Sequence, residues 1–145
     1  MSSAAFDTSA LVKLVIDEPG SQSAREIWAA AEPPVCCRLA YVEARAALAA
    51  ARRAERLTRT QLAAAKRGLE TLWGQAGIVE VTEALIVDAA DLAERRALRA
   101  YVAVHLAAAR AVGAAVLITA DLEQFRASSA ENLIAFDPTT HRIGP

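Results

Sequence analysis

No stretch of this 145-residue chain is an uninterrupted apolar run of the ~18 residues that a bilayer-spanning helix needs, so no membrane span is expected. The N-terminus has neither the basic lead nor the long apolar core of a secretory signal. A dominant charge is missing too: sixteen Lys and Arg face seventeen Asp and Glu, for a net charge of −1. Bulk charge therefore argues neither for nor against a nucleic-acid partner, and its distribution must decide. Cysteine is scarce. Cys36 and Cys37 are adjacent, so on a strand they point to opposite faces, and a disulfide between them would be strained. They read as small buried residues of a reducing compartment, the cytoplasm. Two cysteines without paired histidines do not make a zinc site. Hairpin signals such as Asn-Gly are absent.

What is present is alanine. The apolar fraction is 54% and mean hydropathy +0.24, and alanine carries much of both, which implies helices in one compact domain spanning residues 1–145. Ala4, Ala5 and Phe6 form a short apolar lead into Asp7, read as a buried strand with Thr8 or Ser9 capping the helix that follows over 10–16. Further helices are expected over 21–31, with Ile27 and Trp28 towards the core, and from Leu39 to about Glu55. Others follow from a Thr58 cap through Leu72, from Thr82 through Ala97, over 101–112 with Gly113 beyond the end, and around 122–126. In the Thr82 helix, Leu85, Ile86, Ala89, Leu92 and Ala93 have core-facing spacing. Strands are expected at 35–38, 78–81 and 115–118, with a final one at 133–136 before a polar tail. Short apolar strands alternating with helices predict a parallel sheet with helices on both faces, a three-layer α/β/α domain.

Three acids stand at element ends or first turns: Asp7, Glu43 and Asp121. Strand ends of a parallel sheet share one edge, so these acids can converge there. Each alone has a plainer reading, as a helix cap for Asp7 and Asp121 and as a solvated helix residue for Glu43. Asp17, Glu18, Asp88, Asp91 and Glu94 read as ordinary exposed or capping acids. Together, three clustered carboxylates need a cation, and oxygen ligands select magnesium or manganese. Such a site activates water for phosphodiester hydrolysis. His105, in an apolar run, reads as a packed, hydrogen-bonded residue rather than a general base, and His141 has no evident partner.

The stretch from Phe6 to Leu14 resembles the opening motif of PIN-domain ribonucleases, particularly the VapC toxins of toxin–antitoxin pairs. Tyr41-Val42-Glu43-Ala44-Arg45-Ala46-Ala47-Leu48 is similar to the second motif of that family. The run from Leu98 to Ala109 resembles the third, and Ile118-Thr119-Ala120-Asp121-Leu122-Glu123-Gln124-Phe125 the fourth. The resemblance implies a metal-dependent endoribonuclease toxin with a PIN-like fold, a cognate antitoxin covering the active-site groove, an RNA substrate and a homodimer. It implies that Asp7 and Asp121 ligate magnesium or manganese, that Glu43 joins them or orients the attacking water, and that Ser9 and Thr119 hydrogen-bond around them. It also exposes a departure: family members ordinarily carry a ligand aspartate where this chain has Val102. A valine cannot ligate a cation, so little or no nuclease activity is expected. The alternative is a catalytically degenerate PIN domain that binds antitoxin or RNA without cutting.

Arg45, Arg52, Arg53, Arg56 and Arg59, with Arg95, Arg96 and Arg99, make two basic groups that are either solvated helix faces or phosphate contacts leading RNA to the acidic edge. Leu11, Leu14, Val15 and Trp28 serve either a dimer or antitoxin surface or a satellite core. A haloacid-type phosphatase would carry a second aspartate where Ser9 stands, and a receiver domain would carry an acidic pair near its first strand end, which is absent.

Overall fold

The computed structural model describes residues 3–145. In chain order the elements are β1 (Ala4–Phe6), α1 (Thr8–Lys13), α2 (Ser21–Ala30), β2 (Pro34–Cys37), α3 (Leu39–Arg53), α4 (Arg59–Gln75) and β3 (Gly77–Val79). They continue with α5 (Glu83–Arg96), α6 (Ala100–Ala111), β4 (Val116–Ile118), α7 (Leu122–Ala130), β5 (Ala135–Asp137) and β6 (Arg142–Gly144). The strands form one sheet in the order β3-β2-β1-β4-β5-β6. The first five are parallel, with Phe6 opposite both Cys36 and Ile118. The chain winds outward from β1 in one direction and returns to its other side at β4, so the strand order reverses between them. Ligands of open α/β sheets bind at that reversal, beyond the strand C-termini.

The period of two along each strand divides the core. Ala4, Phe6, Cys36 and Ile118 pack under α1 to α4 with Leu11, Leu14, Trp28, Leu48 and Leu69. Ala5, Cys37 and Leu117 face the other way, onto α5, α6 and α7 with Leu85, Leu92 and Leu106. The two cysteines thus lie on opposite faces, both free and buried, and burial pushes both thiols up and keeps them inert. Helix α6 is buried at every position from Val102 to Ala109, the pattern of a helix sealed between layers rather than an amphipathic one. The Thr58 cap of α4 is a complete capping box with Gln61.

Several expectations need correction. Asp7, not Thr8 or Ser9, caps α1, because its extended backbone lets Oδ1 accept from the Ala10 amide. Helix α1 ends at Lys13 rather than at residue 16, where the buried Lys13 ammonium donates to Glu18 and to the Pro19 carbonyl and ties down the following turn. Ile86 is 47% exposed, since only Leu85, Ala89 and Leu92 of α5 face the sheet closely enough to be buried.

The strand at 133–136 is not the last, and the sheet is mixed: β6 returns antiparallel to β5. Its turn uses Asp137, whose carboxylate accepts from the Thr139 amide and the Thr140 hydroxyl. This is an Asx-type turn without Asn-Gly. His141 has a left-handed backbone (φ 57°), and its ring stacks on Phe136. Strand β6 needs a glycine at 144, where a Cβ would come within 2.6 Å of Ser129 Oγ and 2.9 Å of the Phe125 ring.

Leu11, Leu14 and Trp28 are core, with Val15 packed against them, so they offer no free dimer or antitoxin surface. Phe6 and Trp28 meet edge to face at 5.0 Å. Leu11→Ala is accordingly expected to cost about 3 kcal/mol of stability in urea unfolding, with sedimentation unchanged; a folded variant that only dissociates would return Leu11 to an interface.

Candidate active site

Asp7 leaves β1 with its amide bonded to the Ile118 carbonyl of β4 and its side chain turned into the protein, 4% exposed. Three donors meet it: the Ser9 hydroxyl at 2.6 Å and the Ala10 amide at 3.0 Å on Oδ1, and the Thr119 hydroxyl on Oδ2. Each hydroxyl accepts in turn, Ser9 from the Ala120 amide at 2.9 Å and Thr119 from the Asp121 amide at 3.0 Å. The β1–α1 and β4–α7 junctions are thereby stitched together through one carboxylate. Burial raises the Asp7 pKa above the usual carboxylate range, opposed by the charge of His105 and by the three donors.

Glu43, in the second turn of α3, reaches across to α1 and α6. Its Oε1 accepts from the Thr8 hydroxyl at 2.9 Å and lies 2.6 Å from His105 Nε2. Burial pushes its pKa up, but the hydrogen bond and charge of His105, with the Thr8 hydroxyl, outweigh this and hold it below the usual range. His105 is buried and hydrogen-bonded, and its ring nitrogen also lies 3.3 Å from Thr8 Oγ1.

Asp121 caps α7 through Oδ1 on the Gln124 amide, and its Oδ2 faces Arg99 Nη2 at 3.5 Å. Arg99 is itself held by Glu123, through its amide at 3.0 Å and Nε at 2.6 Å, and its guanidinium lies 4.9 Å from the centre of the Tyr101 ring. Val102 is fully buried yet joins neither apolar cluster. It stands three residues before His105, on the same face of α6.

Of the arginines singled out from the sequence, Arg45 bonds the Tyr41 hydroxyl at 2.9 Å and lies 4.0 Å from Glu70. Arg95 and Arg96 are engaged by Glu131. Arg52 and Arg53 lie in the last turn of α3, about 14 Å along the helix axis from Glu43 at 1.5 Å per residue. Sequence reasoning missed Thr8 and the Glu123 clamp on Arg99. The only signal for Thr8 was its place beside Asp7, and the clamp joins residues that no local pattern links.

The cation expected here is magnesium or manganese. Among the described residues, no three His, Cys, Asp or Glu side chains come together closely enough to hold a metal ion. The donor chemistry gives the reason. Both Asp7 oxygens are taken up by protein donors, Glu43 is paired with His105, Asp121 faces a guanidinium, and position 102 supplies no oxygen. As arranged, these side chains do not present a complete ligand set for a divalent cation.

An α/β/α sandwich with acids gathered at the β1/β4 reversal defines a class, and comparison with known proteins names it. A family model described as PIN domain matches residues 4–129, which leaves out β5 and β6. Ribonuclease VapC49 of Mycobacterium tuberculosis (strain ATCC 25618 / H37Rv) is 46% identical over 115 residues, covering 79% of this chain and 80% of its own. Among solved structures, PAE2754 from Pyrobaculum aerophilum superposes with a TM-score of 0.70 at 26% identity, over 96% of this chain and 91% of that one. A chain of a toxin–antitoxin complex from Klebsiella pneumoniae gives 0.61 at 20% identity, over 84% and 89%, and supports the fold. The chain belongs to the PIN-domain family and, within it, to the VapC ribonuclease toxins.

The raised Asp7 pKa sets a pH dependence. A carboxyl that binds its proton more tightly folded than unfolded penalises the folded state at neutral pH, and the penalty fades as pH falls through the folded pKa. Asp7→Asn, which keeps shape and an acceptor, is expected to unfold at higher urea than the unsubstituted chain at pH 7. That advantage should shrink steadily as pH falls towards 4. Equal midpoints at both pH values would mean that the three donors cancel the cost of burial.

Proposed function

We propose that this chain is an endoribonuclease toxin of the magnesium- or manganese-dependent kind whose cation site is incomplete at Val102, leaving phosphodiester hydrolysis impaired. The observation that carries the reading is Val102 itself, buried outside both apolar clusters and on the α6 face of His105, which pairs with Glu43. The chain's own residues prepare the rest of the site. Ser9, Thr119 and the Ala10 amide orient the Asp7 carboxylate. Thr8 and His105 fix Glu43, and Glu123 positions Arg99 against Asp121. Asp7, Glu43 and Asp121 are the groups we assign to hydrolysis and to what cation binding remains, with Ser9 and Thr119 as their supports. Arg45, Arg52 and Arg53 are assigned to RNA.

The partner we propose is a cognate antitoxin protein, in line with the toxin–antitoxin complex among the structural relatives. A mainly apolar groove lined by Leu39, Tyr41, Val42, Trp73 and Val81, with Arg38 and Glu70 among its walls, is the surface we assign to it. The protein is assigned to the cytoplasm, in keeping with two buried free thiols, and to a homodimer that sedimentation would detect. A second reading, a degenerate PIN domain that binds antitoxin or RNA without cutting, is favoured by one observation: the remaining acids already have protein partners.

RNA cleavage with magnesium or manganese, compared across three chains, tests both readings. Val102→Asp is expected to raise the rate about tenfold or more, the effect of 1.4 kcal/mol on the barrier, and adding Asp7→Ala should abolish it. Asp7-dependent cutting by the unsubstituted chain at the Val102→Asp rate would show that three acids suffice. No cutting by any of them, with RNA or antitoxin still bound, would move the second reading ahead.

A further inference from the structure

The basic side chains of this protein are used unevenly. Outside α3 and α4 they are almost all engaged: Lys13 by Glu18, Arg25 by Asp17, Arg38 by Glu80, Arg99 by Glu123, and Arg95, Arg96 and Arg110 by Glu131. By contrast, among the described residues, Arg52, Arg53, Arg56, Arg59, Lys66 and Arg67 form no ion pair or side-chain hydrogen bond and, apart from half-buried Arg52, are exposed. They fall within sixteen consecutive residues that contain one acid, Glu55, in a chain whose net charge is −1. Three of them, Arg52, Arg53 and Arg59, line a shallow recess with Glu55 and Leu62 where α3 ends and α4 begins, and Arg56 lies in the connection between the two helices.

Helix-end electrostatics accounts for part of this. Arg52 and Arg53 in the last turn of α3 complement its C-terminal carbonyls. Arg59 has no such role, since it opens α4, where the helix dipole disfavours a cation. Unpaired guanidinium groups gathered at one junction suit phosphates, which arginine binds through its planar fork.

We propose that the α3–α4 junction is a docking site for the sugar–phosphate backbone of RNA, separate from the acidic edge. The inference rests on the reading of the chain as an RNA-directed protein and deepens it. Arg56 and Arg59 join Arg52 and Arg53 in an anchor about 14 Å along α3 from Glu43, roughly four stacked nucleotides at 3.4 Å each. Backbone contacts hold the strand without reading its sequence.

The test is fluorescence anisotropy of a labelled single-stranded RNA of about 20 nucleotides, with EDTA present, between roughly 50 and 200 mM NaCl. The unsubstituted chain is compared with Arg52→Gln/Arg53→Gln/Arg56→Gln/Arg59→Gln and with Arg56→Gln/Arg59→Gln, which spares the end of α3. Arg126→Gln, at an exposed arginine outside the junction, is the control. Each lost phosphate contact should flatten the plot of log K against log salt by about 0.7, so the fourfold variant should lose about 3 and the double variant about 1.4, with the control unchanged. Unchanged slopes in the double variant would overturn the proposal, as would a patch dependence seen with polyglutamate or duplex DNA but not with RNA. Because EDTA removes cleavage from the readout, a chain that never cuts RNA can still pass this test. A failure here leaves the cleavage assay standing.

Discussion

The acceptance of three hydrogen bonds by one buried carboxylate organises the rest of the molecule. A carboxylate withdrawn from water carries a penalty of several kcal/mol unless donors replace its hydration. Asp7 meets them from its own helix, at Ser9 and Ala10, and from the far side of the strand reversal, at Thr119. The two hydroxyls also satisfy the amides of Ala120 and Asp121, so the loop after β4 takes its shape from the side chain at the end of β1. Strands β1 and β4, 110 residues apart in the chain, are held at their C-terminal ends by this polar junction as well as by their pairing.

The same principle runs outward from Asp7. Glu43 finds Thr8 and His105, and Asp121 finds Arg99, which Glu123 holds against it. Carboxylates gathered at one edge repel, and the repulsion must be met by a counter-charge. Here the counter-charges are groups of the chain itself. A further aspartate at position 102, beside His105 on a buried helix face, would add a charge that these groups do not neutralise. With valine there, no further negative charge is added to the edge.

Much of this was legible in the sequence, for physical reasons. Buried strands flanked by helices read clearly because Ala4–Phe6 and Val116–Ile118 are uniformly apolar, the first running directly into Asp7 and the second reaching Asp121 three residues on. Thr58 and Thr82 read as caps because their side chains act within three residues. Features governed by contacts distant in the chain were hidden. Strand β6 has an exposed, mixed sequence and exists because Gly144 fits against Phe125 and Ser129. Leu11 and Leu14 were ambiguous between core and surface, since periodicity tells which face is apolar but not what covers it. At the site, acids at element ends could be picked out one by one. That each would already have a protein partner could not, because Glu43 and His105 are 62 positions apart.

An edge arranged in this way presents a problem to a polyanion. Arg99 is committed to Glu123 and Asp121, so the basic group that faces Asp121 has little charge left to offer a phosphate. Attraction of RNA to the acids themselves would be opposed by their residual negative field, and long-range steering needs cations whose field is not cancelled by a neighbour. The unpaired arginines of the α3–α4 junction meet that condition, and α3 connects them rigidly to Glu43. On the proposed reading, separating the surface that attracts the strand from the acids that act on it removes the conflict.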